Sequence, residues 1–361
     1  MGIVRLGPDD HRTPLPSAGK IVIVGGGLAG TSVAWWLARR GMVDRVILLE
    51  QGEQFGAEAS AQNAGMMRRM AHDSAERALA VRSAPNLVSP PTEDWKGREP
   101  FRKTGAVVAL GSTASSDIRG ALQLAADDLA SSGVVVEEVS GRHLASLAPA
   151  LAGAPIETAW HLPDEGVLDA HSLVQGFLCG ARQAGVSLHC GVRTLRLLTQ
   201  ETDDGRRIMG VETDQGKINA DLVVIAAGAW SAILGSTAGA ERSLTPLARH
   251  LLHSPEHPLS DRTHPWCWYD DVGVYVRPEG GGWLCSPCDE TEVRQALGPG
   301  SAGPVESLGR ALAHAKVEAN FPALDRIRLN GGWTGLRTFA PDRRPVVGED
   351  PACTGLWWAA G

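Results

Sequence analysis

IVIVGGGLAG, residues 21–30, sets four apolar side chains directly against three glycines, with a fourth glycine three positions on. A short run without a polar residue is what a strand buried on both faces requires. Residues 28–40 then carry apolar side chains on one helical face and stop at Gly41, and residues 46–49 return to a fully apolar run. Strand, helix and strand make a βαβ unit of about thirty residues. Gly25, Gly27 and Gly30, with Gly26 between, fall at the strand–helix junction in the spacing GxGxxG. In that setting Gly25 permits the tight turn, Gly27 lets the main chain approach a pyrophosphate, and Gly30 lets the helix pack on the strand. The helix N-terminus adds N–H groups and a partial positive charge for the anion. Glu50 ends the second strand, 20 positions after Gly30, where a carboxylate can bind ribose hydroxyls and would repel a 2′-phosphate, which argues against NADP. A plain tight turn accounts for the glycines but not for that carboxylate.

Two further segments bear on which dinucleotide it is. ASAQNAG, residues 59–65, is a small, hydroxyl- and amide-bearing loop suited to a pyrophosphate or a flavin ring. VVIAAGAWS, residues 223–231, is a buried strand ending in small residues, and it would bring main chain to the nucleotide from the other side of the sheet. A plain NAD domain needs neither. Between the nucleotide-type pieces, residues 91–149 and 241–329 are richer in Pro, Trp and charge, as a second domain made of insertions would be. The expected organisation is therefore α/β: a Rossmann-like, FAD-binding domain over residues 18–90, 150–240 and 330–361, an α+β substrate-binding domain over 91–149 and 241–329, and a flexible leader over 1–17. Within it, Asp169 is expected to cap a helix with Leu173, Val174, Phe177, Leu178 and Ala181 on one face, stopped by Gly185. Residues 186–198 and 207–220 read as strands, the second turning at residues 214–216, and residues 222–225 read as a central strand of the parallel sheet.

The bulk composition excludes other classes. The chain has 361 residues, the length of two domains, with 43% hydrophobic and 21% charged residues and a net charge of −7. No basic tract marks a nucleic-acid partner, and no apolar window approaches the ~18 residues of an integral membrane segment. The first twenty residues carry charges and prolines where a secretory signal needs an apolar core. Six cysteines are too few for a disulfide scaffold, so thiols in a reducing, cytoplasmic setting are expected. Cys285 and Cys288 form a single CxxC, which without a second pair reads as two loop thiols more readily than as a metal site.

The motifs taken together resemble the flavin-dependent amine and D-amino-acid oxidoreductases, whose members include glycine oxidase, D-amino-acid dehydrogenases and sarcosine oxidase. The matching pieces are VGGGLAG with Glu50, ASAQNAG, PDEGVLDAHSL (163–173), VVIAAGAWS, GVYVRPEGGGWLCSP (273–287) and WTGLRTFAPDRRPVVG (333–348), in the family's order over nearly the whole chain. The last two look closest to the D-arginine/D-amino-acid dehydrogenase branch. The resemblance implies that Gly25, Gly26, Gly27, Ala29 and Gly30 hold the FAD pyrophosphate and Glu50 the adenosine ribose. It places Ser60, Asn63, Ala64 and Gly65 by the pyrophosphate and isoalloxazine, the Val192 backbone by adenine, and Ala227, Gly228 and Trp230 along the nucleotide. It assigns Arg337 to the substrate carboxylate, which a planar, permanently charged fork binds through two hydrogen bonds. Tyr275, one of two tyrosines, and Arg249 would help at the same end. His250 and His253 lie beside Arg249 as lesser candidates for a base, which direct hydride transfer from a neutral amine does not need.

The implied activity is oxidation of the C–N bond of a small amino acid, a D-amino acid or a glycine-like amine, to an imino acid, with oxygen or a quinone/electron-transfer acceptor reoxidising the flavin. The loop after Glu50 has no His and the segment near Gly335 no Cys, so the FAD is expected to be non-covalent. Met66 stands where the D-arginine branch has a polar residue, so arginine is not the expected substrate. In the family the strand LWWAAG, residues 356–361, leads into a glycine-rich loop and a helix aimed at the flavin, and the chain is expected to be a fragment that stops short of them. The alternatives are a tRNA-modifying FAD oxidoreductase, an NAD-dependent dehydrogenase and a non-catalytic flavin-binding subunit.

Overall fold

The computed structural model describes residues 16–203, 205–293 and 303–361. Of the leader expected over residues 1–17, all but the last two residues lie outside the described residues. The first of those elements, β1 (Ile21–Val24), is followed by α1 (Leu28–Arg39) and β2 (Val46–Leu49). β1 is the centre of a six-stranded sheet, whose order is Val346–Glu349, Leu356–Ala360, Leu222–Ile225, β1, β2, Ser187–His189. All neighbours are parallel except the edge strand Val346–Glu349. The unbroken apolar runs follow from this position. Ile21 and Ile23 point to one face and pack with Ala34 of α1 and with Val174 and Leu178 of the helix Ala170–Gln183. Val22 and Val24 point to the other and pack with Ile208, Val211 and Ile218 of an antiparallel meander.

Asp169 caps the helix Ala170–Gln183, its carboxylate accepting the Ser172 N–H at 3.0 Å. The strand expected over residues 186–198 is instead two strands in different sheets, Ser187–His189 beside β2 and Thr194–Thr202 in the meander. Gly191, with φ 66°, turns the chain between them, and its N–H and that of Val192 are drawn off to the carbonyls of Gly52 and Glu50. The hairpin expected at residues 214–216 joins Gly205–Thr213 to Gly216–Asn219.

A nine-stranded, mostly antiparallel sheet makes the second unit, with the helices Ser116–Ser131 and Ser307–Asn320 packed on it. Two of its strands come from segments that the sequence pattern assigned to the nucleotide side: Ile156–Leu162 pairs with Ala106–Gly111, and Gly331–Phe339 pairs along its whole length with Thr245–His253. The chain leaves the larger sheet at Phe339 and enters the parallel one at Val346, so one short connection spans the two units. None of the six cysteines forms a disulfide with another described residue, and Cys285 is fully buried in the larger sheet. Among the described residues no helix is long and apolar enough to cross a membrane, and no cluster of His, Cys, Asp or Glu is placed to hold a metal ion.

Candidate active site

The bare backbone after β1 faces a cleft of about 820 Å³, within the range of sites that bury a large ligand. Gly25 sits at φ +110°, and a Cβ built on it would lie 2.3 Å from the Ala226 carbonyl oxygen. That contact lets the turn before α1 touch the end of the neighbouring strand, which a side chain would prevent. A Cβ on Gly30 would stand 1.8 Å from the Gly25 carbonyl oxygen, so the helix can rise this close to the strand only without one. Gly27, at the cleft wall, leaves room for Ser60, whose Oγ accepts the Leu28 N–H at 2.8 Å and caps the first turn of α1. Gly26 packs under Phe55 and Glu50.

Glu50 closes one end of the cleft. Its two carboxylate oxygens accept the N–H groups of Gly26 and Gly52, each at 2.7 Å. Burial lifts its carboxyl above the ordinary range, against the pull of those N–H groups. The carboxylate therefore holds the glycine turn itself, as well as lining the cleft. Val192 also lines it, its N–H donated to the Glu50 carbonyl at 2.9 Å. Ala29, Ala227, Gly228 and Trp230 complete the wall from α1 and from the end of Leu222–Ile225.

The loop 59–65 separates this cleft from a second one of about 480 Å³. Asn63 shapes the loop: its amide donates to the Ser60 carbonyl at 2.7 Å and accepts the Gly65 N–H at 2.8 Å. Asn63, Ala64 and Gly65 line the second cleft, while Ser60 lines the first. Leu28, Ala59, Leu336 and Arg337 border both, so the two spaces meet there.

One face of the nine-stranded sheet floors the second cleft, and its register explains which residues share it. Arg337 pairs with Leu247 and Gly335 with Arg249, so the two arginines are diagonal neighbours on one face. Leu251 continues that face. Tyr275 and its partner Trp268 extend it, their rings 5.2 Å apart. Among the described residues no hydrogen bond or ion pair holds the Arg337 guanidinium, which lies 4.9 Å over the Phe339 ring. Crowding by the protein, then Arg249 and Arg68, hold it down to about 10, still charged at neutral pH, and solvent in the open cleft weakens that depression.

Arg249 is more committed than its sequence position suggests. It donates to the Asp289 and Cys288 carbonyls at 3.2 and 3.4 Å and pairs with Glu290 at 3.3 Å. Tyr275 is buried, and burial first, then Cys288, pushes its phenol up, so it is a donor at neutral pH. His250 is outside the cleft lining and buried, its Nδ1 2.6 Å from Asp289 and its Nε2 accepting the Glu306 N–H. His253 stacks near Trp333, also outside the lining.

Three lining residues had no flag in the sequence: Arg68, Glu76 and Trp268. Arg68 sits 4.7 Å over the Trp268 ring and 3.2 Å from Glu76. Its neighbour Arg69 turns the other way, to a buried pair with Glu165 at 2.9 Å. The available signal was alternation: Met66–Met67 is a short strand, and consecutive residues after it take opposite faces.

A family model described as FAD dependent oxidoreductase, DAO, matches residues 20–361. Among curated proteins the chain is 27% identical over 373 residues to the mitochondrial pyruvate dehydrogenase phosphatase regulatory subunit of Mus musculus, covering 97% of this chain and 40% of that protein. It is 24% identical to the mitochondrial sarcosine dehydrogenase of Homo sapiens, over 99% of this chain and 39% of that one. To the glycine oxidase of Geobacillus kaustophilus it is 27% identical over 94% of this chain and 87% of the relative. The chain thus spans about two fifths of the first two relatives' length. Among solved structures, L-proline dehydrogenase from P. horikoshii has a TM-score of 0.81 at 20% identity, covering 96% of this chain and 88% of that one. The glycine oxidase from Geobacillus kaustophilus has 0.77 at 22%, covering 96% and 90%. These two share the fold.

Proposed function

The chain belongs to the FAD dependent oxidoreductase family, and on that premise we propose that it oxidises the C–N bond of a small amino acid, a D-amino acid or a glycine-like amine, to an imino acid. The observation that carries this reading is the junction of the two clefts, where the Arg337 guanidinium, without a hydrogen-bond or ion-pair partner among the described residues, stands on their common border. The first cleft fits FAD in volume, and the tight glycine turn at Gly25 and Gly27, where a Cβ would meet the Ala226 carbonyl or Ser60, lies along its wall. Gly25, Gly27, Ala29 and Ser60 would hold the pyrophosphate, Glu50 and Val192 the adenosine, and Ala227, Gly228 and Trp230 the remaining edge. FAD, when bound, supplies a two-electron acceptor that takes the substrate hydride.

The chain's own residues do the positioning. Arg337 captures the substrate carboxylate through both its terminal nitrogens. Tyr275 donates a hydrogen bond from a phenol that burial keeps protonated. Met66, Leu251 and Trp268 narrow the second cleft and exclude water around the α-carbon. Neither cleft has a His or Cys among its described lining residues, which supports non-covalent FAD. Oxygen or a quinone/electron-transfer acceptor reoxidises it. The test is anaerobic bleaching of the flavin absorbance against D- and L-amino acids and N-methyl amines. Bleaching by D-amino acids or glycine-type amines, with FAD released on denaturation, is the expected result. No bleaching by any amine would end the reading.

A second reading, a flavin-binding subunit without turnover, is favoured by one observation, the 27% identity to a relative named as a regulatory subunit. It predicts a yellow protein that no amine bleaches.

A further inference from the structure

The second cleft carries more positive charge than one carboxylate needs. Arg68, Arg249 and Arg337 all line it, and Glu76 is the only acid among its described lining residues. Glu76 pairs with Arg68 at 3.2 Å. Glu290, behind the wall, is shared: it pairs with Arg249 at 3.3 Å and accepts two hydrogen bonds from Arg343, at 2.6 and 2.8 Å. Lys316 and Asp289, the other charges felt there, offset one another. Four guanidinium groups thus face two carboxylates, an excess of two positive charges. The excess is felt locally, since Arg249 and Arg68 both act against the charge on Arg337.

Arg68 lies over the Trp268 ring at 4.7 Å. Arg337 borders both clefts, whereas Arg68 lines only the second, so the two guanidinium groups stand at different places in the cleft.

Resting on the amine-oxidising reading above, we propose that the substrate is an amine bearing two carboxylates, an N-carboxyalkyl amino acid or an acidic amino acid. Arg337 takes the carboxylate next to the reacting carbon. Arg68 takes the second. Glu76 holds Arg68 in place while leaving its other N–H groups for the ligand.

The test is calorimetric titration of the FAD-loaded protein with two unreactive ligands, oxydiacetate (two carboxylates) and methoxyacetate (one), at low salt. Oxydiacetate is expected to bind about ten-fold or more tightly, the gain of one further charge-assisted contact. Arg68→Gln should bring the ratio of the two affinities close to one, and Arg68→Lys should restore part of it. Equal affinities in the unaltered protein, or an unchanged ratio in Arg68→Gln, would overturn the inference. Visible flavin absorbance is recorded on the same samples. If it is missing, the flavin reading fails, while the ratio of anion affinities, measured on the same chain, still decides the dicarboxylate inference.

Discussion

At the scale of single residues, the glycine turn was legible because its cause is steric and local. Gly25 and Gly30 stand where a Cβ would meet main chain at 2.3 and 1.8 Å, and the GxGxxG spacing carries that constraint in the sequence itself. Arg337 was legible only through its motif. Arg68 was not, because what separates it from Arg69 is a partner 96 residues further along, Glu165, which takes one arginine and leaves the other to the cleft. Arg337→Lys should weaken carboxylate binding about ten-fold or more, since an ammonium replaces a two-pronged fork. Titrating flavin absorbance with substrate under anaerobic conditions measures this, and unchanged affinity would remove Arg337 from the carboxylate site.

At the scale of elements, the helices and the short buried strands were legible from periodicity and caps, whereas the break at Gly191 was hidden because it depends on carbonyls of Gly52 and Glu50 in another segment. The packing of α1 against the helix Ala170–Gln183 was equally out of reach. Its contact is an aromatic cluster of Trp35, Trp95 and Phe177, with the Trp35 N–H donated to Asp94 at 2.7 Å. Gly176 lies under the Trp95 indole, where a Cβ would come within 2.0 Å of the ring. Gly176→Ala raises helix propensity and, in isolation, should stabilise. Here the clash should win, and the variant should lose ~1–3 kcal/mol in denaturant unfolding. A stabilised variant would show that the indole can move aside. A second tie joins the segment before the helix Ser74–Val88 to the larger sheet, His72 Nε2 to Asp270 at 2.7 Å. The hydrogen bond to Asp270, the largest influence, raises the His72 pKa. Its contribution is therefore fully present below the ordinary 6.5 and is lost as the pH rises through the folded value. The melting temperature should decline over that interval, modestly because the ring is exposed, and His72→Gln should flatten the decline.

At the scale of the whole molecule, the two sheets meet around the strand Gly331–Phe339, which belongs to the larger sheet and leads within seven residues to Val346 in the parallel one. The sequence pattern placed this segment with the nucleotide domain, because its motif sits beside the last parallel strand along the chain. Its pairing is decided instead by the nine-residue register with Thr245–His253, a contact about ninety positions distant that no local pattern reveals. This crossing puts Arg337 on the border of both clefts, and Gly335 is what seats it. A Cβ on Gly335 would lie 2.5 Å from the Gln62 carbonyl oxygen, in the loop that divides the two clefts. Gly335→Val should push strand and loop apart, with Ser60 and Asn63 displaced on one side and Arg337 on the other. Affinity for FAD and affinity for a carboxylate ligand should therefore fall together, each by about ten-fold, as a displacement near 1 Å does to a positioned site. The substituted strand pairs with one neighbour, Thr245–His253, at the edge of the larger sheet, so cooperative unfolding should persist. Reconstitution of the apoprotein with FAD, followed by ligand titration of the loaded form, measures the two effects separately. A loss confined to one cleft would mean that the strand and the loop move independently, and the two spaces would then have to be treated as separate sites.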